Sequence, residues 1–335
     1  MDSPKRILVI QLKRAGDVIV TTPILPVLRK RLPDSKIDFL VDRPFASLLD
    51  NNPNVDHVQI YDRKAVWGTW KKLRAASYDW ILDFQSSPRS IMAGLYSGAS
   101  MRAGYRVRFW GKFFTRSMKR PGANISATEG KMNLVRQLLS DVPTAGDRKL
   151  FLTESERAWA IGQMGQTPRE KNAVGLIPTH RRDSRRWPAA SFVHLGKQWV
   201  SEGNPLWLFW GPGEEEYVRA IQNEIPGSKM IPNTSLRQMA ALLEQCKIVI
   251  TNDNGPMHLA VAVGTPTLTV YGPTDPKSWN PGGAKNRIVQ AQNLSCLGCN
   301  MNECPFEHEC MTWITPDLML AQAKSLMNSQ LAFAQ

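Results

Sequence analysis

One rhythm, written twice, constrains this chain more than any other feature. Short apolar or alternating runs, ILVIQL (7 to 12), IDFLV (37 to 41), VDHVQIY (55 to 61) and DWILDF (79 to 84), are separated by helix-like stretches at about 23 to 32, 66 to 76 and 88 to 97. A polar stretch at 165 to 172 interrupts, and the rhythm restarts with AVGLI (173 to 177), LWLFW (206 to 210), KIVIT (247 to 251) and TLTVY (267 to 271). Helix-like segments at about 189 to 201, 213 to 224, 235 to 245 and 256 to 263 separate these. Such alternation demands parallel strands covered by helices on both faces. At ~100 to 200 residues per domain, a chain of 335 residues predicts two Rossmann-like α/β domains, 1–168 and 169–335, facing across a cleft. The last helix is a candidate to pack back on the first domain. In open sheets of this kind ligands sit outside the carboxyl ends of the strands, at the switch point.

The formal charge of +13 and a pI near 9.7 call for an anionic partner. A phosphorylated substrate, an anionic lipid or a nucleic acid would each serve. No RNP-like aromatic motif or zinc-finger spacing is present, which turns the reading away from nucleic acid. No apolar run reaches the ~18 residues that span a bilayer, and the chain enters a strand at once without a signal-peptide pattern, so a cytoplasmic protein is expected. Residues 102 to 120 carry Arg102, Arg106, Arg108, Lys112, Arg116, Lys119 and Arg120 with no acid, interleaved with Tyr105, Phe109, Trp110, Phe113 and Phe114. Two readings stand: a solvated helix-loop whose aromatics pack downward, or an interfacial segment resting peripherally on an anionic membrane.

The first strand runs into Lys13, Arg14, Ala15, Gly16 and Asp17. A G-x-G-x-x-G fingerprint would belong here and only Gly16 is present, so a dinucleotide site is not expected. What remains is a carboxylate beside two cations. Asp17 either caps the next helix or acts as a general base on a hydroxyl. Thr179, Arg181, Arg182, Arg185 and Arg186 follow a strand and precede a helix opened by Pro188, where guanidinium forks suit phosphate oxygens. In TNDNGPMHLAVAVGTPTLTVYGPTDP (251 to 276), a strand ends in Asn252, Asp253, Asn254 and Gly255 before Pro256 opens an apolar helix. A helix start with a glycine that lets a ligand approach the backbone is a ready diphosphate site. His258, by itself, reads as a core or surface histidine.

Of the five cysteines, Cys296, Cys299, Cys304 and Cys310 crowd together with His308 between them. This spacing leaves two readings: a zinc site opened by C-x2-C, or a loop of buried reduced thiols.

These blocks, with KRAGDVIVTTPILPVLRK near the start, SRRWP in the middle and WGPGEEE at 210 to 216, resemble the ADP-heptose:lipopolysaccharide heptosyltransferases, glycosyltransferase family 9. The likeness covers nearly the whole chain. It implies a two-Rossmann glycosyltransferase B-type fold, an ADP-sugar donor, an anionic glycolipid acceptor at the inner membrane face, and inversion without a required metal. By resemblance, Asp17 matches the catalytic base and Arg185 the place of a phosphate-contacting lysine. Glu214, Glu215 or Glu216 matches an acidic ribose contact, and Asp253, Gly255, Pro256, Met257 and His258 match the donor-phosphate block. Thr179, Arg186 and Asn254 join the donor set, and Lys13, Arg14 and Arg106 are the acceptor candidates. Two alternatives remain open: the same fold with another ADP- or UDP-sugar, and a non-catalytic nucleotide-sugar or anionic-glycan binding protein.

Overall fold

Residues Ile7 to Ile10 of β1 (Arg6–Ile10) have no exposed surface, the signature of a strand covered on both faces. The computed structural model describes residues 3–120, 122, 125–164 and 173–333. In it β1 pairs in parallel with β2 (Lys36–Asp42) on one side and β4 (Trp80–Asp83) on the other. From β1 the chain returns through α1 (Ala15–Thr21) and α2 (Ile24–Arg31), then passes through β2 to β3 (His57–Tyr61). It doubles back through α3 (Val66–Ala75) into β4 and through α4 (Pro88–Tyr96) into β5 (Met101–Tyr105). After β6 (Arg116–Met118) comes α5 (Ala127–Arg136), and the sheet order is β3-β2-β1-β4-β5-β6. These elements form one compact unit, Met1–Phe151.

The second unit, Leu152–Gln335, repeats the scheme. Its elements are α6 (Glu154–Met164), β7 (Ala173–Ile177), α7 (Ala189–Ser201), β8 (Leu206–Leu208), α8 (Glu215–Asn223), β9 (Lys229–Met230), α9 (Leu236–Glu244), β10 (Cys246–Asn252), α10 (Gly255–Ala262), β11 (Thr267–Tyr271), α11 (Pro276–Trp279), β12 (Asn286–Gln290), α12 (Glu309–Thr312) and α13 (Pro316–Phe333). All pairings are parallel, in the order β12-β11-β10-β7-β8-β9. Read from its first strand outward, this is the same connectivity as the first sheet, with the switch point between β7 and β10 as it lies between β1 and β4. The helix α6 belongs to this unit because it packs on α9, where Arg157 Nε meets Glu244 at 2.9 Å and Glu156 pairs with Arg237. The sequence-expected boundary at 168/169 and the polar stretch 165 to 172 lie outside the described residues. The last helix, α13, packs on α7, β10 and β11.

The central strands and crossover helices fall where periodicity puts them. Four strands carry no such signal: β5 (MRAGY), β6 (RSM), β9 (KM) and β12 (NRIVQ). Of these β6, β9 and β12 lie at or next to sheet edges, where burial asks little of the side chains. The basic stretch from 102 to 120, expected as a helix-loop or interfacial segment, in fact supplies most of β5 and all of β6, joined by a short 3-10 turn, Trp110–Phe113. Its aromatics divide between the two readings. Tyr105 and Phe114 are buried, the latter because Gly104 leaves room for its ring, while Phe109 is 73% exposed.

Candidate functional site

In the second unit, four adjacent strands present their carboxyl ends as loops: β8 into Glu214, β7 into Thr179 to Arg186, β10 into Asp253 and Asn254, and β11 into Gly272 to Asp275. The expected donor residues all follow these ends. Trp187 anchors the arginine loop. It is fully buried, donates its indole N–H to Ile314 O at 2.8 Å and its backbone N–H to Asn252 Oδ1 at 2.9 Å, and packs edge-on to Phe192. A buried indole that spends its one donor this way fixes the two residues before it.

Arg185 is held against the end of β10, with Nη1 3.9 Å from Asp253 Oδ2, Nη2 donating to Asn300 Oδ1, and Nε buried without a hydrogen bond. Burial and the neighbouring Arg182 push the Arg185 pKa below its usual value, with Asp253 opposing. Burial likewise raises Asp253, against the pull of the Thr274 hydroxyl and Arg185. Each group thus meets a poorly solvated partner. His180 is pushed down to about 4 by burial, so the ring is neutral at pH 7, and its Nδ1 accepts from Arg182 N at 2.9 Å.

Asn254 caps α10. Its side chain accepts from Met257 N at 2.9 Å and donates to Thr179 O at 2.9 Å, tying the β7 and β10 loops together. Gly255 has open space where a Cβ would stand, and no acid occupies the first turn. Met257 and His258 are buried, the imidazole lying 6.2 Å from the Trp279 ring, so His258 takes the core position that its surroundings alone would suggest.

Arg186 is occupied elsewhere. It donates to His180 O at 2.7 Å, pairs with Asp183 at 2.8 Å, and lies 5.0 Å over the Tyr217 ring. Of the three glutamates, Glu214 turns back on Gly211 N at 2.9 Å, Glu215 pairs with Arg219 at 2.5 Å, and Glu216 is exposed.

The cysteine-rich loop packs on the same strand ends. Gly298 N and Asn300 N donate to Gly272 O and Pro273 O at 3.1 and 2.7 Å, and Ser184 Oγ donates to Met301 O at 3.2 Å. Gly272 is required by this closeness, since a Cβ there would sit 2.6 Å from Met311 Sδ and 2.9 Å from Cys310 Sγ. Cys296, Cys299, Cys304 and Cys310 are free thiols that line one small cavity with Pro273. No group of three His, Cys, Asp or Glu among the described residues is arranged to hold a metal, so the zinc reading is not supported; of the rival reading the free thiols are observed but not their burial, since Cys310 is buried, Cys296 and Cys304 are half-buried and Cys299 is exposed. Asn300, the residue that holds Arg185, carries no sequence signal at all.

In the first unit, Asp17 occupies the third position of α1, where its carboxylate accepts from Arg14 N at 3.3 Å. The helix cap is therefore Arg14 and not Asp17. Beneath the loop lies a network that sequence reasoning missed. Lys131 of α5, 6% exposed, donates to Gln11 Oε1 at 2.7 Å, and Gln11 Nε2 donates to Lys13 O at 2.7 Å and Gln85 Oε1 at 2.9 Å. Burial pushes the Lys131 ammonium down to about 8, with Asp17 pulling the other way, then Arg120 adding to the depression and Asp83 opposing it. Asp83, fully buried at the end of β4, is pushed up to about 7 by burial, opposed by the amides of Ser86 and Gln85, Ser90 and Lys131. Lys13 is half-buried, while Arg14 and Arg106 are exposed, following β1 and β5 respectively. The structure thus brings Asp17, Lys13, Gln11, Gln85 and Lys131 together at the first sheet's switch point.

A family model described as glycosyltransferase family 9 (heptosyltransferase) matches residues 66–309. Lipopolysaccharide heptosyltransferase 3 of Escherichia coli is 28% identical over 303 residues, covering 82% of this chain and 85% of that protein. The crystal structure of the glycosyl transferase family 9 from Veillonella parvula DSM 2008 matches with a TM-score of 0.86 at 24% identity, over 98% of this chain and 99% of that one. E. coli heptosyltransferase WaaC with ADP matches with a TM-score of 0.75 at 23% identity, over 96% of this chain and 99% of that one. At these identities the two structures speak for the fold, two Rossmann-like halves of the glycosyltransferase B type.

Proposed function

The chain belongs to glycosyltransferase family 9, the heptosyltransferases, and is a glycosyltransferase; from that premise we propose that it transfers a heptose from ADP-heptose to the inner core of lipopolysaccharide, with inversion and without a catalytic metal. The observation that carries this reading is Arg185: a half-buried guanidinium whose buried Nε–H is unspent, pinned by Trp187 beside the open start of α10. An E. coli relative of the same fold has been solved with ADP and with ADP-2-deoxy-2-fluoro heptose, which supports ADP as the carrier here.

In the proposed reaction an acceptor hydroxyl oxygen attacks the anomeric carbon of the donor as the bond from that carbon to the β-phosphate oxygen breaks. ADP leaves, and the hydroxyl proton passes to Asp17. Charge builds on the departing diphosphate, and preorganised donors aimed at such charge supply the larger part of the stabilisation in a poorly solvated site. Arg185 and the α10 start fill that role in this reading. Asp253 then neutralises Arg185 between turnovers. On the first unit, Lys131 holds a buried positive charge near Asp17. Lys13, Arg14 and Arg106 are the proposed contacts to the acid groups of the acceptor, and the acceptor places the enzyme at the cytoplasmic face of a membrane.

Two other readings are decided by the same assay. A different nucleotide sugar is the main rival, because the Glu214 contact to Gly211 N concerns the ribose candidate and not the base. Purified protein incubated with lipopolysaccharide core acceptor and a panel of ADP- and UDP-sugars decides it. ADP release with heptose incorporation is expected, and UDP release alone would overturn the assignment. Absence of any turnover, with tight ADP binding, would turn the chain into a binding protein.

A further inference from the structure

Between Arg63 and Arg120 the chain holds thirteen Lys or Arg and two acids, Asp79 and Asp83. Both acids are committed. Asp83 is fully buried, and Asp79 accepts Lys5 N and Arg6 N at 2.7 and 2.8 Å. Most of the net charge of +13 therefore comes from one stretch of sequence, which supplies strands β4, β5 and β6 and a layer of helix and turn beside them. In it α3 packs on α4, and α4 packs on the turn Trp110–Phe113. The inner side of the layer buries Leu73, Ile91 and Ala93.

The outer side is not the plain charged surface that a solvated helix layer presents. Trp67 is 72% exposed, Tyr96 40% and Phe109 73%. Trp67 lies 5.0 Å from Trp70 and 5.9 Å from Tyr96, edge-on to both, and Trp70 stacks on Tyr96 at 4.0 Å. On the adjoining segment Arg108 sits 4.8 Å over Phe109 and Lys112 sits 5.4 Å over Phe113. Lys64, Lys71, Lys72, Arg89, Arg108 and Lys112 are exposed and have no ion pair among the described residues. Single exposed rings are ordinary, but a ring cluster set among unpaired cations on one layer is the composition of a surface that meets something both apolar and anionic.

We propose that this face, formed by α3, α4 and residues 106 to 113, docks the chain on an anionic phospholipid bilayer. The rings enter at headgroup depth and the cations meet the lipid phosphates. No helix among the described residues is long and apolar enough to cross a membrane, so the contact is interfacial. The inference deepens the acceptor assignment above and rests on it in one respect, that the acceptor is anchored in lipid.

The test uses the full chain with vesicles of phosphatidylcholine alone and with a third of phosphatidylglycerol, read by co-sedimentation. Binding is expected only to the anionic vesicles, falling with added salt. Trp67→Ala with Phe109→Ser removes two exposed rings. This pair should lower the bound fraction at least tenfold, while transfer to a deacylated, water-soluble acceptor stays unchanged. Lys64→Glu with Lys71→Glu should do the same and abolish the salt dependence. Trp67→Phe preserves the fold and should diminish quenching of tryptophan fluorescence by brominated lipid. Wild-type protein that transfers sugar but ignores anionic vesicles would sink the docking face and leave the enzyme reading intact. Vesicle binding without transfer would do the reverse. Ring variants that weaken binding to an oligonucleotide but not to vesicles would reassign the face to nucleic acid and overturn the proposal.

Discussion

The same fold is used twice here, and the two switch points are furnished for opposite electrostatic tasks. Beside β7 and β10 the loops set a guanidinium, a capped helix start without an acid in its first turn, and Asn300 lent by a distant loop. Beside β1 and β4 the helix that follows the first strand, α1, carries an acid in its first turn, Asp17, and the cation lies buried underneath as Lys131. The start of α10 therefore has no acid opposing its positive dipole end, whereas at the start of α1 Asp17 sets a negative charge among the cations Lys13, Arg14 and Lys131. Similar backbone ends are thus given different local charge by the side chains of the first helical turn.

The largest effect expected from breaking this contrast is at Asp17. Asp17→Asn keeps the shape and removes the base, so turnover should fall by ~10²- to 10⁴-fold while ADP affinity, measured by calorimetry, stays within twofold (~0.4 kcal/mol). Loss of ADP affinity in place of turnover would put Asp17 in a donor role. Arg185→Ala comes next, with kcat down by ~10²- to 10³-fold. Arg185→Lys should recover only part of that, because an ammonium cannot reproduce the fork that reaches Asp253 and Asn300.

Trp187→Ala tests the anchor in place of the charge. Removing a fully buried indole should cost about 3–5 kcal/mol of unfolding free energy, read by urea denaturation, with loss of donor affinity as the arginine loop is freed. A variant as stable as wild type would show that the loop is held by other contacts.

The pH dependence of stability tests the first of the two sites. Asp83 is raised from 3.8 to about 7, so between those values the native state keeps a proton that the unfolded chain has released. Stability from this group falls as pH rises through that window. Lys131 is lowered from 10.5 to about 8, so above pH 8 the unfolded chain holds the extra proton and stability recovers as pH rises. The groups facing this ammonium are Asp17 from α1, Asp83 from β4 and Arg120 after β6. Asp83→Asn should flatten the change in unfolding free energy between pH 5 and pH 7.5, worth on the order of a few kcal/mol. An unchanged slope would remove Asp83 from the account. The smallest effect belongs to Asn300→Ala, which loosens Arg185 without removing it and should lower kcat/KM about tenfold, in keeping with one hydrogen bond to a charged group.

Much of this was legible in the residues. The eight principal strands, the crossover helices and the two helix starts follow from apolar periodicity and from Gly, Pro and Asn at the turns, because burial on both faces of a parallel sheet leaves no other pattern. Asp17, Arg185 and Asp253 could be named because they follow strand ends in a repeating scheme. Arg186 and Glu214 stood equally well in the sequence, yet Arg186 is spent on Asp183 and Tyr217, and Glu214 on its own loop. Charge and position along a chain do not say where a long side chain finds its nearest partner.

Lys131, Asp83 and Asn300 mark what tertiary structure alone decided. Lys131 reaches Gln11 across 120 positions of sequence and Asn300 reaches Arg185 across 115. Lys131 lies in no motif, Asn300 sits within the cysteine run without being one of its thiols, and neither has a periodicity to betray it. The free energy of a buried polar group depends on which donors and acceptors share its pocket once water is gone, and those partners are chosen by packing of distant segments. The alternation of strands and helices is a local property, written residue by residue, and so the amino-acid order determined the fold and the strand ends. Which of the groups at those ends face one another is a property of the assembled units.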